Sequence, residues 1–405
     1  MPENGNIRSF PCKGSIFGLA PRQPGIGKVK AMNSAVICAY ARSPFTLANK
    51  GALAKTRPDD LLMQVIKGLL GRVSVNAGDI EDMLIGCAFP EGEQGFNIGR
   101  MAVLLAGLPL SVGGATVNRY CGSSMETIHM AAGKIACGAG DVFLSGGVES
   151  MTRIPMGGFN PLPNAALYEA MPTAYMNMGM TAEQVCVKFK IDRKRQEEYA
   201  LSSHRKAAAA NLSKEIIPIT TKAGVVDADG CIRADTTLEK MATLPPAFDA
   251  GGTVTAATSS PVTDGASLTL VASEAYADKH GLPKLARIKS FAVHGLEPEI
   301  MGMGPVGASR KALARAGISV ADLDVVELNE AFAVQALAVI QELGLDAAKV
   351  NVEGGAIALG HPLGASGARV TGKAAQLLAA GGGKYALATM CIGGGQGIAT
   401  VLEKI

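Results

Sequence analysis

Short apolar runs alternate with stretches of helical period along most of the chain, the pattern of an α/β protein. Strands are expected at Met83–Phe89, Ala115–Asn118, Asp141–Gly146, Ser267–Ala272, Tyr385–Met390 and Ile398–Glu403. Helices are expected over Asn97–Leu105, Ser123–Cys137, Arg193–Ala210 and about Ala365–Ala380. The run that follows Met32, NSAVICAYARSPF, reads as a buried strand entering a loop. Residues 1–31 carry neither period. They hold scattered Gly and Pro with five basic residues and one acid, so an unstructured leader is expected, or an upstream start with Met32 as the initiator. A transit peptide that directs the chain to an organelle is the alternative, although the Pro/Gly spacing argues against its amphipathic helix.

The pattern also divides the chain. Residues 32–150 and 262–405 read as regular α/β, whereas 151–261 is rich in Pro/Gly turns with few strands and reads as an inserted loop domain. The two regular parts share a weak repeat. Strand 116–118, helix 123–137 and strand 142–146 match strand 350–352, helix 365–380 and strand 385–390. Two copies of one βαβ plan suggest a duplicated fold with a site where the halves meet.

Composition narrows the class. Hydrophobic residues are 48% and charged residues 18% of 405, enough for large cores and too apolar for a disordered chain. A net charge of +3 with no basic block argues against nucleic-acid binding. The longest apolar stretch, roughly 101–117, is broken by Gly107, Pro109 and Gly113-Gly114, so no membrane span is expected. The eight cysteines show no zinc-ligand spacing, which predicts free thiols, no metal, and a soluble cytoplasmic protein.

Four segments can carry chemistry. In Val117–Met125 (VNRYCGSSM) a strand turns tightly into a helix that begins just after Cys121, where free N–H groups and the helix dipole favour a thiolate. In GGAIALGHPLG, His361 stands between Gly360 and Pro362 at a helix entrance, a setting for a general base. Of the other four histidines, three read as structural, and His294, expected in a loop, is the one kept as a further candidate. After a strand, Cys391 precedes Gly393-Gly394-Gly395, whose N–H groups can converge on an oxyanion. Asn329, at the C-terminal end of a strand, is either a site residue or a helix N-cap. Together these suggest acyl transfer through a thioester, with one thiol as nucleophile and the other exchanging a proton at carbon. A Cys/His/Asn hydrolase is the competing reading, though it needs no second thiol.

From Met32 to Ile405 the chain resembles the thiolases, the acetyl-CoA acyltransferases. The resemblance rests on NEAFA at 329–333, GGAIALGHPLGASGAR at 354–369 and CIGGGQGIA at 391–399. CGSSM after VNRY, EQGFNIGR at 93–100 and TSSPVTDGAS at 258–267 resemble degradative 3-ketoacyl-CoA thiolases, including β-subunits of bacterial fatty-acid oxidation complexes.

The resemblance implies two thiolase-type halves in a five-layered αβαβα core and a homodimer or homotetramer, with an α-subunit of an oxidation complex as the further partner the same likeness offers. It implies that Cys121 is acylated, that His361 activates it and that Cys391 protonates the leaving acetyl-CoA enolate. The N–H groups of Cys121 and Gly393 would form one oxyanion hole, and His361 with a water held by Asn329 the other. CoA is a substrate and no cofactor is implied. Its pantetheine arm would pass Phe248, Ala256 and Ser260, with Arg233 nearer the nucleotide and Met178 and Met301 lining the acyl pocket. Asn177 departs from the Tyr-His-Met-Gly of acetoacetyl-CoA-specific relatives, which favours degradation over the alternative, biosynthetic condensation of two acetyl-CoA. A non-catalytic acyl-CoA or lipid-binding relative is the third reading; such a protein would be free to lose His361 or Cys391.

Overall fold

The computed structural model describes residues 33–405, so the expectation for residues 1–31 lies outside the described residues. The first part of the chain forms β1 (Ala35–Arg42), β2 (Thr46–Leu47), α1 (Pro58–Leu70), β3 (Asp82–Gly86), α2 (Ile98–Ala106), β4 (Gly113–Val117), α3 (Ser123–Ala136) and β5 (Val142–Ser150). Next come α4 (Ala165–Ala170), α5 (Met178–Phe189), α6 (Arg193–Ala209), the hairpin β6 (Ile219–Thr221) and β7 (Gly224–Val226), and α7 (Leu238–Ala242). The remainder is β8 (Thr263–Ser273), α8 (Glu274–His280), β9 (Ala286–Gly295), α9 (Gly304–Ala316), β10 (Val325–Leu328), α10 (Ala333–Leu343), α11 (Ala356–Leu359), α12 (Leu363–Ala380), β11 (Tyr385–Ile392) and β12 (Gln396–Glu403).

Ten strands form one mixed sheet in the order β10-β11-β12-β9-β1-β8-β5-β3-β4, with β2 on β8. Read outward from its middle, the sheet is a duplication. On one side β1, β8, β5, β3 and β4 follow one another; on the other β9, β12, β11 and β10 do, and a single parallel bridge from Val326 to Val350 stands in the place of β4. The halves join where β1 meets β9 antiparallel, at Val36–Arg287 and Ile37–Ala286.

The expected strand at 350–352 is therefore reduced to one bridge. Asn351 turns left-handed (φ 46°), and its side-chain amide does the work of the ladder, accepting from Leu328 N–H at 2.9 Å and donating to Leu328 C=O at 2.8 Å. A boundary at 261/262 also parts β8 from the strands it pairs with, since β8 lies between β5 and β1. The long insertion before β8 hides that partnership in the sequence.

Alternation along the strands produces the layers. Ile398 and Leu402 of β12 pack with Val370, Ala374 and Leu378 of α12, while Ala399 and Val401 face Ala312 and Leu313 of α9. In the other half, Leu268 and Leu270 pack with Leu62, Ile66 and Leu69 of α1, and Val271 and Phe143 with Ile128 and Ile135 of α3. Helices α3 and α12 touch strands of both halves and form the middle layer. Five αβαβα layers result, from one sheet rather than two.

A buried ionic chain fastens the 151–261 region to this core. Arg42 of β1 grips both oxygens of Asp229 (2.6 and 2.7 Å) and Oε1 of Glu215 (2.6 Å). Lys373 of α12 reaches the other oxygen of Glu215, and both partners are buried. Removing one member strands an uncompensated charge in a dry interior. Arg42→Met is expected to lower the unfolding free energy by about 3–5 kcal/mol, read as a drop in the urea midpoint.

Candidate active site

Cys121 sits in a one-turn 3₁₀ segment, Tyr120–Gly122, that runs straight into α3. Tyr120 before it holds a positive φ of 43°, an uncommon conformation for a bulky residue, and its N–H is taken by Asn118 Oδ1 at 2.9 Å. This sharp turn aims the Cys121 thiol inward, where it is 9% exposed. The N–H groups of Gly393 and of Cys121 itself point at its sulfur.

The N–H donors expected around Cys121 do favour a thiolate, but they do not decide the resting state. Burial outweighs every other influence and pushes the Cys121 thiol up to about 11; the two N–H groups act in the opposite direction. Cys391, at the end of β11 and fully buried, is raised well above the ordinary thiol range by burial and next by the neighbouring Cys121. The two thiols are thus close enough to feel one another's charge.

His361 lies in the turn between α11 and α12 and is buried. Its tautomer follows from its partners. Ser366 Oγ donates to Pro362 C=O at 2.9 Å, so the 2.5 Å contact with His361 Nδ1 is a bond donated by the imidazole. Nε2 is left as the acceptor and receives Asn329 Nδ2 at 3.3 Å. Burial, then the Arg369 charge, lowers His361 to about 3, so the ring is neutral at pH 7.

Asn329 is no helix cap. The next helix, α10, begins only at Ala333 with Phe332 at its cap position, and Asn329 N–H extends the sheet by bonding Thr389 C=O at 3.0 Å. Its Oδ1 is buried without a hydrogen-bond partner among the described residues. His294 stands on β9 rather than in a loop, opposite Gly397, with its ring filling the space left by Gly307 of α9.

The residues expected to contact CoA and acyl chain divide into two groups. Arg233 and Ala256 line a cavity of about 620 Å³ together with Ser259, Pro261, His204 and Lys240. Ser260 N–H bonds Ala331 C=O at 3.0 Å, and His361 N–H meets Pro261 C=O at 3.4 Å, so this wall borders the Asn329 and His361 loops. Phe248 does not line the cavity. It packs edge-on against Phe332 and over Gly179, because a glycine there leaves the ring its place. Met178 comes closest to the site, its Sδ 3.5 Å from where a Cβ on Gly393 would stand, and Met301 is buried in the same apolar cluster.

The sequence pattern did not mark Ser366, Glu149 or Lys240, and it gave His204 a structural role. Ser366 was visible one turn beyond His361, and Glu149 as a lone acid closing the run VFLSGGVES. His204, read as structural, lines the cavity and accepts from Arg233 N–H at 3.2 Å; nothing along its polar helix marks it.

The halves of the chain match two family models, the thiolase N-terminal domain over residues 35–275 and the thiolase C-terminal domain over 282–404. The chain belongs to the thiolase family. It is 46% identical to a 3-ketoacyl-CoA thiolase of Bacillus subtilis over 92% of this chain and all of the relative. It is 48% identical to proteins of the same name from Pseudoalteromonas translucida, over 92% of this chain and all of the relative, and Saccharophagus degradans, over 91% and 98%. The thiolase fold expected from the sequence and its acyltransferase class are thereby shown. Among the described residues no helix is long and apolar enough to cross a membrane.

A thiol held up to about 11 is almost wholly protonated at pH 7. Alkylation of Cys121 by iodoacetamide in the free enzyme is therefore expected to rise about tenfold per pH unit between pH 7 and 10. The rate is followed by mass analysis of the Cys121 peptide, and a plateau near pH 7 would show instead a thiolate already formed.

Proposed function

We propose that this thiolase cleaves 3-ketoacyl-CoA with CoA to give acetyl-CoA and a shortened acyl-CoA, the degradative direction of fatty-acid metabolism. The observations that support the reading are the buried Cys121 thiol with the Gly393 N–H and Cys391 acting on it, and the His361–Asn329 hydrogen bond at the opening of α12, in a chain whose relatives bear that activity in their names.

In this reading the Cys121 sulfur attacks the 3-keto carbon while its proton passes to His361 Nε2. The C2–C3 bond breaks, and its electron pair becomes the enolate of acetyl-CoA. Cys391 protonates that enolate and is reprotonated from His361, so the proton lost by Cys121 leaves on acetyl-CoA. CoA then attacks the Cys121 thioester, and the proton of its thiol returns to Cys121. The N–H groups of Cys121 and Gly393 stabilise the negative oxygen of the thioester carbonyl, and each such donor is worth about 2.7–4 kcal/mol in other enzymes. His361 and a water taken by the unpaired Oδ1 of Asn329 serve the other oxyanion. CoA enters as a substrate, its pantetheine arm along Ala256 and Ser260, its nucleotide towards Arg233 and its acyl chain past Met178 and Met301. The chemistry asks for no further group.

A homodimer is part of the proposal, supported by the edge strand β4 and by Phe96 (90% exposed) and Leu110 (76% exposed) near it in sequence. A homotetramer, or assembly with an α-subunit of an oxidation complex, rests on the family resemblance alone. Seven described cysteines, all free, fit a cytoplasmic setting.

Incubation with a 3-ketoacyl-CoA is expected to leave the acyl group on the Cys121 peptide. Cys391→Ser should slow carbon–carbon cleavage and α-proton exchange at least about 10²-fold while sparing acylation of Cys121 by a simple acyl-CoA. Acylation found on Cys391 reverses the two roles, and equal loss in both half-reactions makes Cys391 structural.

Chain length follows from Met178 beside Gly393. Each buried CH₂ of the acyl chain adds at most ~0.8 kcal/mol, so two further carbons raise kcat/KM about tenfold. The expected order is 3-ketohexanoyl-CoA above acetoacetyl-CoA. A kcat/KM highest for acetoacetyl-CoA and falling with each carbon favours the biosynthetic reading.

A further inference from the structure

The duplication sets the site residues against one another in an unforeseen way. Helices α3 and α12 are counterparts, and Cys121 and His361 each stand two residues before their first helical residue. Strand register extends the match. Gly86 pairs with Gly147 as Leu328 pairs with Thr389, so Cys87 is the counterpart of Asn329 and Glu149 the counterpart of Cys391. Three of these six positions carry the proposed chemistry in the second half; in the first half only Cys121 does. The partner positions, Cys87 and Glu149, touch one another.

Glu149 is 1% exposed and collects donors from several segments. Its Oε2 accepts Ala88 N–H and Gly364 N–H, both at 2.8 Å. Its Oε1 accepts Gln94 Nε2 at 2.8 Å and Phe89 N–H at 3.3 Å, and the Cys87 sulfur lies 3.7 Å away. Gly364 is in the first turn of α12, three residues beyond His361, and the opening of that helix is a favourable place for an anion. The Phe89 ring in turn contacts the ring of Tyr120, the strained residue before Cys121. A carboxylate with donors from the α12 turn, the segment after β3 and the Gln94 loop fixes all three to the end of β5. Gln94 closes the knot, its Oε1 accepting Ser150 N–H at 2.6 Å.

We propose that Glu149 is a positioning residue of the thiolase reaction, the side chain that ties the His361 turn to the segment packed on the Cys121 turn. The inference rests on the roles proposed for Cys121 and His361. Glu149 touches no substrate; it acts through the two loops it joins. Its charge has a second effect, for it opposes ionisation of Cys121 and so favours the thiol form in the resting site. Besides Cys121 at the head of α3, the titratable groups about Glu149 are Cys87 after β3 and His361 in the α12 turn. On β8, Asp264 lies beyond Ser150 and is held by the Ser150 and Thr152 hydroxyls.

Two variants of the full-length enzyme separate position from charge. Glu149→Asp keeps the charge but withdraws it by about 1.5 Å, and a 1 Å misplacement can cost about 10²-fold. A loss of kcat of that order is expected, with the KM for CoA within threefold and the pH profile of Cys121 alkylation unchanged. Glu149→Gln keeps the size and removes the charge; kcat should fall similarly, and the alkylation profile should move to lower pH while near-ultraviolet circular dichroism stays native. A Glu149→Asp enzyme with kcat within twofold of wild type overturns the proposal. So does a folded Glu149→Gln enzyme whose alkylation profile coincides with wild type. Should Glu149→Gln fail to fold, Glu149→Asp decides alone. Peptide mapping of the wild-type acyl-enzyme is run beside both: acyl absent from Cys121 there defeats the functional reading itself, whereas acyl on Cys121 with an indifferent Glu149 defeats only this inference.

Discussion

Everything in the site depends on how closely α3 and α12 can approach between the halves of the sheet. A Cβ on Gly367 would stand 2.3 Å from Met125 N of α3, and one on Gly364 would stand 2.8 Å from Cys87 Cα. A side chain at Gly367 would drive the two helices apart, and one at Gly364 would lift α12 from β5 and the segment after β3. With none there, Ala368 N–H reaches Ser124 Oγ at 2.8 Å, and the two helix openings, one carrying Cys121 and the other His361, face the ends of β11 and β5. The abundance of glycine is thus partly a matter of distance: backbone must come near backbone before catalytic side chains can meet.

The same closeness dries the site, and dryness sets its protonation. In a polar, wet cleft two thiols and an imidazole would carry an appreciable charged fraction near neutral pH, since their ordinary values lie within about two units of it. Here desolvation disfavours every charged form, so the resting groups are neutral and the charge appears only as the reaction creates it. Backbone N–H groups aimed at the sulfur are then worth more than in water, because little else competes for them. A helix dipole read from sequence lowers the thiol but does not reveal this, since sequence places the dipole and not the depth of burial.

Much of the architecture was legible. Helix 193–209 and the strands about Cys121 and Cys391 follow from periodicity, and the duplicated βαβ plan was visible although β4 has no true strand as its counterpart. Asn351 defeated the strand assignment because a side-chain amide substitutes for backbone pairing, and no pattern of apolar residues reports that. Cys121, His361 and Cys391 stood out through glycine and proline neighbours that only a close backbone approach explains. Glu149 did not, since its importance lies in what it accepts hydrogen bonds from, and those donors are brought by distant segments; Ser366 did not, since only its bond to Pro362 C=O reveals what it accepts from His361. Asn329 shows the limit most clearly: its surroundings in sequence suit a helix cap equally well, and only the position of α10 decides.

The substitution at Asn351 has a consequence for the surface of the sheet. An Asn amide that occupies the outer side of Leu328, with Val350 bridged to Val326 beside it, covers the β10 margin, whereas at the opposite end β4 pairs with β3 alone among the described residues. The molecule is therefore polar in the geometrical sense, with one margin sealed by backbone and Asn351 and the other carrying no further strand among the described residues, its Gly114 C=O taken by the Asn97 side chain. Growth by edge pairing is self-limiting under that arrangement. Pairing through the open margin would leave only sealed margins exposed, so edge pairing could not go on to build a fibre.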